Sequence, residues 1–161
     1  MEDLAATIDL FIQQVYPTDP REAHEHFSGH AEGQSETFLA WVDDHLAGYL
    51  TMRWESHNPL FRQRQIPLIH HLGVFPQYQR QGIASRLMDE AERLIATRAT
   101  QAGITVGLFD AYGPAQRLYA KRGYLPDGRG ACQGQRPLKL GEAITVGHDL
   151  ILWLTKDLSP A

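Results

Sequence analysis

The chain has 161 residues, of which 43% are hydrophobic and 21% charged, and this predicts one globular domain over residues 1–161. Its formal net charge of −4 is unlike that of a protein that binds nucleic acid through a basic face. The single cysteine excludes an internal disulfide, and no apolar run reaches the roughly 20 residues of a membrane span. Because the N-terminus also lacks a basic leader segment, we expect a cytoplasmic protein that binds neither nucleic acid nor membrane.

Hydrophobic periodicity and turn residues predict a mixture of helices and strands. Helices are expected over residues 4–16, from Gly82 to just before Gly103, and over residues 114–123. Strands are expected over residues 37–42, 46–54, 68–74, 104–109 and 150–155, the last with a partner over residues 143–146. Residues 55–67 are predicted to form a polar connection.

The middle of the chain determines the predicted topology. A strand, a helix and another strand follow one another there, which predicts a parallel strand pair joined by a right-handed crossover. The hairpins on either side favour antiparallel pairs. The sequence therefore predicts an α+β domain with a mixed sheet.

The strongest functional signal is the turn with the sequence Val-Phe-Pro-Gln-Tyr-Gln-Arg-Gln-Gly-Ile-Ala-Ser over residues 74–85. The helix that follows opens at Gly82 without a Ser, Asp or Asn cap, so the first-turn amides from Arg80 to Ser85 lack side-chain acceptors. These amides and the positive end of the helix dipole favour an anion, and small residues at Gly82 and Ala84 permit close approach. A pyrophosphate fits such a site, although the turn has neither the Walker lysine nor the three glycines of a dinucleotide-binding fingerprint.

The same turn resembles the GNAT superfamily of acyl-CoA-dependent N-acetyltransferases. The phosphate-loop pattern of that family, Q/R-x-x-G-x-G/A, is matched by Gln79, Gly82 and Ala84. A second family block is matched after the next strand, at Ala115, Leu118, Tyr119, Gly123 and Tyr124. The chain departs from this block at Tyr112, where the family has an asparagine that often helps to hold the cofactor. The resemblance covers residues 68–128.

The resemblance implies a three-layer acyl-CoA N-acyltransferase fold, with a mostly antiparallel sheet whose central parallel strands splay apart. The cleft would bind acetyl-CoA as co-substrate, with no metal, and its pantetheine arm would pair with the backbone of Leu72 to Val74. Arg80 and Arg86 would either contact phosphates or be solvated. The cofactor-binding residues expected from the resemblance are Leu72, Val74, Gln79, Arg80, Gln81, Gly82, Ile83, Ala84, Ser85, Tyr112 and Ala115.

The implied chemistry is aminolysis of a thioester, which develops negative charge on the carbonyl oxygen and expels a thiolate. The amide of Val74 is expected to stabilise this oxygen. Tyr119 either donates to the departing sulfur or packs beside Leu118. His71 is the preferred general base, with His70 and water as alternatives. Because neighbouring strand residues face opposite sides, only one of the two histidines is expected to point at the acceptor.

Two groups of residues in the loop after the first helix suggest further sites. The spacing of its histidines and the lack of evident second-shell partners favour a solvated loop over a metal site at His24, Glu25, His26 and His30. The acidic residues form either a rim that attracts a cationic amine or another solvated stretch, at Asp19, Glu22, Glu25 and Glu32. Elsewhere, Cys132 has no evident partner base and is not expected to be a nucleophile.

These features together predict direct transfer of the acetyl group of acetyl-CoA to a primary amine of a small molecule. A protein N-terminus or lysine is the alternative acceptor. A non-catalytic acyl-CoA-binding module and a simple nucleotide-phosphate binder are the alternatives from other classes. Family members usually open with a strand where this chain starts in a helix, so either that strand is missing or a partner chain covers the exposed sheet edge. Because an open sheet edge favours pairing with another chain, a homodimer is expected.

Overall fold

The computed structural model of the protein describes residues 4–15, 21, 30 and 32–159, without the side chains of residues 4–8. The helices are α1 (Leu4–Val15), α2 (Pro59–Gln63), α3 (Ile83–Ile95) and α4 (Gly113–Lys121). The strands are β1 (Ser35–Val42), β2 (His45–Arg53), β3 (Leu68–Val74), β4 (Gln101–Gly107), β5 (Leu125–Pro126), β6 (Cys132–Gln133), β7 (Arg136–Pro137) and β8 (Leu150–Asp157). Short 3-10 turns lie at Pro76–Tyr78 and Asp110–Tyr112.

The described strands form one mixed sheet in the order β1-β2-β3-β4-β8-β6-β7, with β5 also paired to β8. Strands β3 and β4 are parallel, and the other described pairs are antiparallel. The parallel pair is short, because only Leu68 and Ile69 of β3 pair with Gly103 and Ile104 of β4. Beyond these residues the two strands diverge. The predicted fold class and its splayed parallel pair are therefore confirmed.

Apolar side chains cover both faces of the sheet and make it the middle of three layers. On one face, Leu50 and Met52 of β2 join Leu87 and Met88 of α3 in the larger core cluster. On the other face, Phe61 of α2 packs edge-on against Trp153 of β8 at a ring-centre distance of 5.2 Å. Full burial of one such side chain contributes about 1.5–3 kcal/mol, so both clusters anchor helices to the sheet.

The prediction that Gly103 ends the central helix is wrong. Helix α3 ends at Ile95, and Gly103 lies inside β4. A Cβ atom at this position would lie 2.3 Å from Cε2 of Phe61. Glycine is therefore needed here for the close approach of a core ring, and its presence does not mark a chain break.

Two further local predictions are corrected by the structure. Residues 143–146 form no strand, and β8 pairs instead with β4, β5 and β6. Val146 is 60% exposed, so its apolar side chain does not belong to a buried strand face. The predicted polar connection contains α2, which Asn58 caps through hydrogen bonds from the amides of Leu60 (2.9 Å) and Phe61 (3.4 Å). An asparagine followed by a proline was the available signal for this helix.

Strand β1 is the first strand of the described sheet and lies at its edge. This agrees with the expected open edge, while the homodimer inferred from it stays a prediction. In the ranges that the structure describes, no helix combines the length and apolar character that crossing a bilayer requires.

Candidate active site

The turn before α3 presents a row of free amides. Gly82 caps the helix in the left-handed region (φ +80°) with no side-chain hydrogen bond, and Arg80 is also left-handed (φ +62°). The first backbone bond of the helix runs from the amide of Arg86 to the carbonyl of Gly82 (3.1 Å). The amides of residues 80–85 consequently have no acceptor among the described residues. The predicted uncapped helix start is confirmed, and its geometry suits an anion.

Three side chains lie in or beside this turn. The side-chain amide of Gln79 donates to the carbonyl of Val74 (3.0 Å), and its backbone amide donates to the carbonyl of Pro76 (3.4 Å). These two hydrogen bonds fix the conformation of the turn. Arg80 and Arg86 are exposed, and neither forms an ion pair with a described carboxylate. Both guanidinium groups lie close in sequence to the free amides and add positive charge there.

Strand β3 has a free backbone edge next to this turn. The amide of Phe75 donates to the carbonyl of Ala47, next to β2, over 2.9 Å. Because backbone groups alternate sides along a strand, the amides of Leu72 and Val74 point the opposite way, into the gap left by the diverging β4. The carbonyl of Val74 is bonded by Gln79, whereas the backbone of Leu72 is open to an extended ligand on this side.

Tyr119 lies on α4 and is 7% exposed, within the core cluster that includes α3. Burial, and to a lesser extent the nearby Tyr112, raises the pKa of Tyr119 to about 12. Its hydroxyl therefore keeps its proton at neutral pH and is able to donate a hydrogen bond. Ala115, one turn earlier on the same helix, packs half-buried against the same cluster.

Tyr112 packs over the last residue of β4. A Cβ atom on Gly107, the last residue of β4, would lie 2.3 Å from the Tyr112 ring. The Tyr112 hydroxyl is 3.0 Å from Nδ1 of His148, and the ring of Phe109 contacts both. Where the family pattern has an asparagine, this chain therefore places an aromatic cluster. His148 was missed by sequence reasoning because only tertiary contact brings it to Tyr112.

The two histidines of β3 do not face opposite sides as predicted. In the pairing of β2 with β3, Thr51 is opposite His71 and Met52 is opposite Ile69, so His70 is the extra residue of a bulge. Such a bulge turns the extra side chain toward the face of its neighbour. The ring centres of His70 and His71 are 4.2 Å apart, so both imidazoles lie on one face at the start of the splay.

Burial, with a smaller effect from Arg53, lowers the pKa of His71 to about 4. The imidazole of His71 is therefore neutral at pH 7 and able to accept a proton, although only weakly. Its role as general base stays a prediction.

Comparison with known proteins decides the family. The profile of the Acetyltransferase (GNAT) family matches residues 3–124, which is most of the chain. The chain belongs to the GNAT family. No curated protein matches this GNAT chain in sequence.

Solved structures resemble this GNAT protein in fold. An aminoglycoside 6'-acetyltransferase type Ii has a TM-score of 0.65 at 16% identity, over 99% of this chain and 94% of that chain. RimL, a ribosomal L7/L12 alpha-N-protein acetyltransferase, has a TM-score of 0.65 at 13% identity, over 95% and 88%. A GNAT acetyltransferase from Elizabethkingia anophelis with acetyl-CoA bound has a TM-score of 0.58 at 16% identity, over 87% and 84%. Similarity at these identities shows the fold alone.

A buried carboxylate holds the helix that carries Tyr119. Glu92 of α3 accepts hydrogen bonds from Arg122 (3.2 Å), Tyr124 (3.0 Å) and Lys156 of β8 (2.7 Å). Its side chain is only 12% exposed, so these charge-assisted bonds are little screened by solvent. Glu92 thereby links α3 to the end of α4 and to β8.

We expect Glu92→Gln to lower the free energy of unfolding by about 2–3 kcal/mol, because two cations lose a buried charged acceptor. Urea denaturation followed by circular dichroism measures this loss. Glu90→Gln is the matched control on the same helix. Glu90 is exposed and pairs only with Arg93 among the described residues, so its effect should stay within about 0.5 kcal/mol. Equal losses in the two variants would contradict the role assigned to Glu92.

The other sequence features do not join the site of this GNAT protein. His24, Glu25 and His26 lie outside the described residues, and the described part holds no group of three metal-ligating side chains. His30 lies 2.7 Å from the hydroxyl of Thr37 through Nε2. Of the possible acidic rim only Glu32 is described, and it accepts a hydrogen bond from Gln34 (2.9 Å) at an exposed position. Cys132 is fully buried, and burial raises the pKa of its thiol, unlike a reactive cysteine.

Proposed function

We propose that the protein is an N-acetyltransferase that moves the acetyl group of acetyl-CoA directly to a primary amine of a small molecule. One observation carries this proposal. Among the described residues, the unpaired backbone of Leu72 and the amide of Val74 on β3 lead toward the amides of residues 80–85, which also lack acceptors. An elongated ligand with an amide-containing arm and a pyrophosphate matches both features at once.

The residues present fit acetyl-CoA. Amides of residues 80–85 donate to the pyrophosphate, and Arg80 and Arg86 add positive charge beside it. The backbone of Leu72 pairs with an amide of the pantetheine arm as a further strand would. Acetyl-CoA supplies an acetyl group that is activated as a thioester.

Val74 and Tyr119 stabilise the charges that develop during transfer. The Val74 amide points into the splayed gap and donates to the thioester carbonyl oxygen as this oxygen becomes negative. Tyr119 has a pKa of about 12, whereas a thiol has a pKa of about 8.5. Complete proton transfer from this tyrosine to the sulfur is therefore unfavourable by roughly 5 kcal/mol. Tyr119 acts by donating a hydrogen bond to the departing thiolate.

His71 is the proposed general base, and it acts through water. Its backbone lies three residues before Val74, which is about 10 Å along a strand. An amine at the thioester carbon therefore reaches this imidazole through an ordered water. The neutral state of His71 at pH 7 is the state that accepts a proton.

Binding and turnover test this function separately. Acetyl-CoA at about 100 times its dissociation constant should stabilise the protein by about 2.7 kcal/mol, which raises the melting temperature. Acetyl-pantetheine, which lacks the pyrophosphate, is the matched control and should give a smaller shift at the same concentration. An unchanged melting temperature in millimolar acetyl-CoA would contradict the proposal.

Turnover is measured as release of the CoA thiol with an aminoglycoside, free lysine or a peptide with a free N-terminal serine. Cys132 is fully buried, so the protein contributes little background to a thiol assay. Acetylation of the small amines supports the proposed acceptor. Acetylation of the peptide alone would identify a protein acetyltransferase, and binding without turnover would indicate a non-catalytic acyl-CoA-binding module.

A further inference from the structure

A third histidine lies beside the pair on β3. The ring of His57, in the loop before α2, is 5.9 Å from the ring of His70 and 5.9 Å from that of Trp153. The loop is held in place, because the carbonyl of His57 accepts a hydrogen bond from Gln135 (3.1 Å) and the neighbouring Asn58 caps α2. His57 was missed by sequence reasoning, since it is distant from β3 along the chain.

The three imidazoles form a row that leads from the splayed gap to the surface. His71 and His70 are half-buried at the point where β3 and β4 stop pairing, and His57 is exposed. Successive ring centres are 4.2 Å and 5.9 Å apart, which is a spacing that suits proton transfer between neighbouring rings directly or through one bridging water. The bulge at His70 creates the row, because a regular strand would turn His70 to the other face.

We propose that His71, His70 and His57 form a proton path that carries the proton released by the acceptor amine to solvent. This inference rests on the proposed acetyl transfer. His71 is the base nearest the reaction, and His70 and His57 act through it as positioning and relay residues.

Atoms and charge balance in this step. The amine nitrogen bonds to the thioester carbon, and the carbon–sulfur bond breaks with its electron pair on sulfur. One nitrogen–hydrogen bond breaks, and its proton passes through water to His71, then to His70 and His57, and finally to bulk water. Each imidazole accepts a proton at one ring nitrogen and releases one from the other, so the row returns to its neutral state.

The environment of the row suits transient protonation. Partial desolvation of the His57 ring beside His70 and Trp153, with smaller contributions from Arg53 and Arg62, lowers the pKa of His57, and burial lowers that of His71. Both imidazoles are therefore neutral near pH 7 and able to accept a proton.

The test uses His57→Ala, which removes the exposed end of the path and leaves space for a small molecule. The rate is measured with whichever of the amines named above the unaltered protein acetylates fastest. The kcat should fall about tenfold, which is below the usual range for loss of a proton-transfer group, because water partly replaces the imidazole. The KM for acetyl-CoA should not change. Added imidazole should restore kcat, whereas His57→Phe, which keeps a ring but fills the space, should not respond. His45→Ala removes an exposed histidine of the β1–β2 turn and should keep full activity.

A double-variant cycle separates a path from independent structural effects. His70→Phe keeps a ring between His57 and His71 but cannot carry a proton, so kcat should fall. In the His70→Phe background, His57→Ala should cause no further fall in kcat, because the path to solvent is already interrupted at position 70. The path would be overturned by additive losses of kcat in the double variant, by an unchanged kcat in His57→Ala, or by a loss of kcat that imidazole does not restore. If the unaltered protein acetylates no amine, the proposed function fails and the path with it, whereas normal activity with normal variants overturns the path alone.

Discussion

Replacing Gly82 with glutamate is expected to abolish acetyl-CoA binding and leave the fold intact. The new carboxylate would stand where the amides of residues 80–85 meet the pyrophosphate. Two unit charges about 4 Å apart near a protein surface repel by about 4 kcal/mol. This energy corresponds to a loss of affinity on the order of 1,000-fold.

Gly82→Gln is the matched control for this variant. Gly82 has φ +80°, so any side chain there costs about 1–2 kcal/mol of backbone strain, which glutamine and glutamate share. A Cβ atom at this position would have no heavy atom within 4 Å outside its chain neighbours, so neither side chain clashes at its base. Calorimetry with acetyl-CoA measures the difference that charge alone causes, and far-UV circular dichroism checks the helix content. Equal affinity in the two variants would show that the pyrophosphate binds elsewhere.

Tyr119→Phe should lower kcat by about 10- to 100-fold with little change in acetyl-CoA affinity, because a hydrogen bond to a charged group contributes about 1.5–3 kcal/mol. The ring remains, so its packing in the core cluster beside α3 is preserved. Only the hydroxyl is lost, and this group acts on charge that is larger on sulfur in the transition state than in bound acetyl-CoA. Removal of such an interaction lowers kcat without weakening binding.

The measurement pairs the steady-state rate at saturating acetyl-CoA with calorimetric affinity. Tyr124→Phe is the matched control, because the hydroxyl of Tyr124 donates to Glu92 (3.0 Å) at the other end of the same segment. That variant should lose about 1 kcal/mol of stability and keep its turnover. Unchanged turnover in Tyr119→Phe would make Tyr119 a packing residue, and water would then serve the departing thiolate.

The turn with the free amides could be predicted from the sequence because its geometry is local. An uncapped helix start needs only a glycine at the cap and no Ser, Thr, Asp or Asn ahead of the first turn, and both facts are visible in residues 79–85. The strand 68–74 was predicted with its observed bounds for the same reason, since a short apolar run ended by Pro76 needs no distant partner. The family resemblance added the role of these elements.

The placement of the histidines beside the splayed strands was decided by tertiary structure. Whether His70 shares a face with His71 depends on how β3 pairs with β2, and the bulge arises from that pairing rather than from the sequence of β3 itself. His57 contacts His70, and His148 contacts Tyr112, although the two residues of each pair belong to different segments of the chain. Gly103 is a second example. In the sequence a glycine indicates the end of a helix, whereas in the structure its missing side chain leaves room for the ring of Phe61. Local backbone chemistry thus determined where the helix amides lack acceptors, and packing between distant segments decided which side chains lie beside the splayed strands.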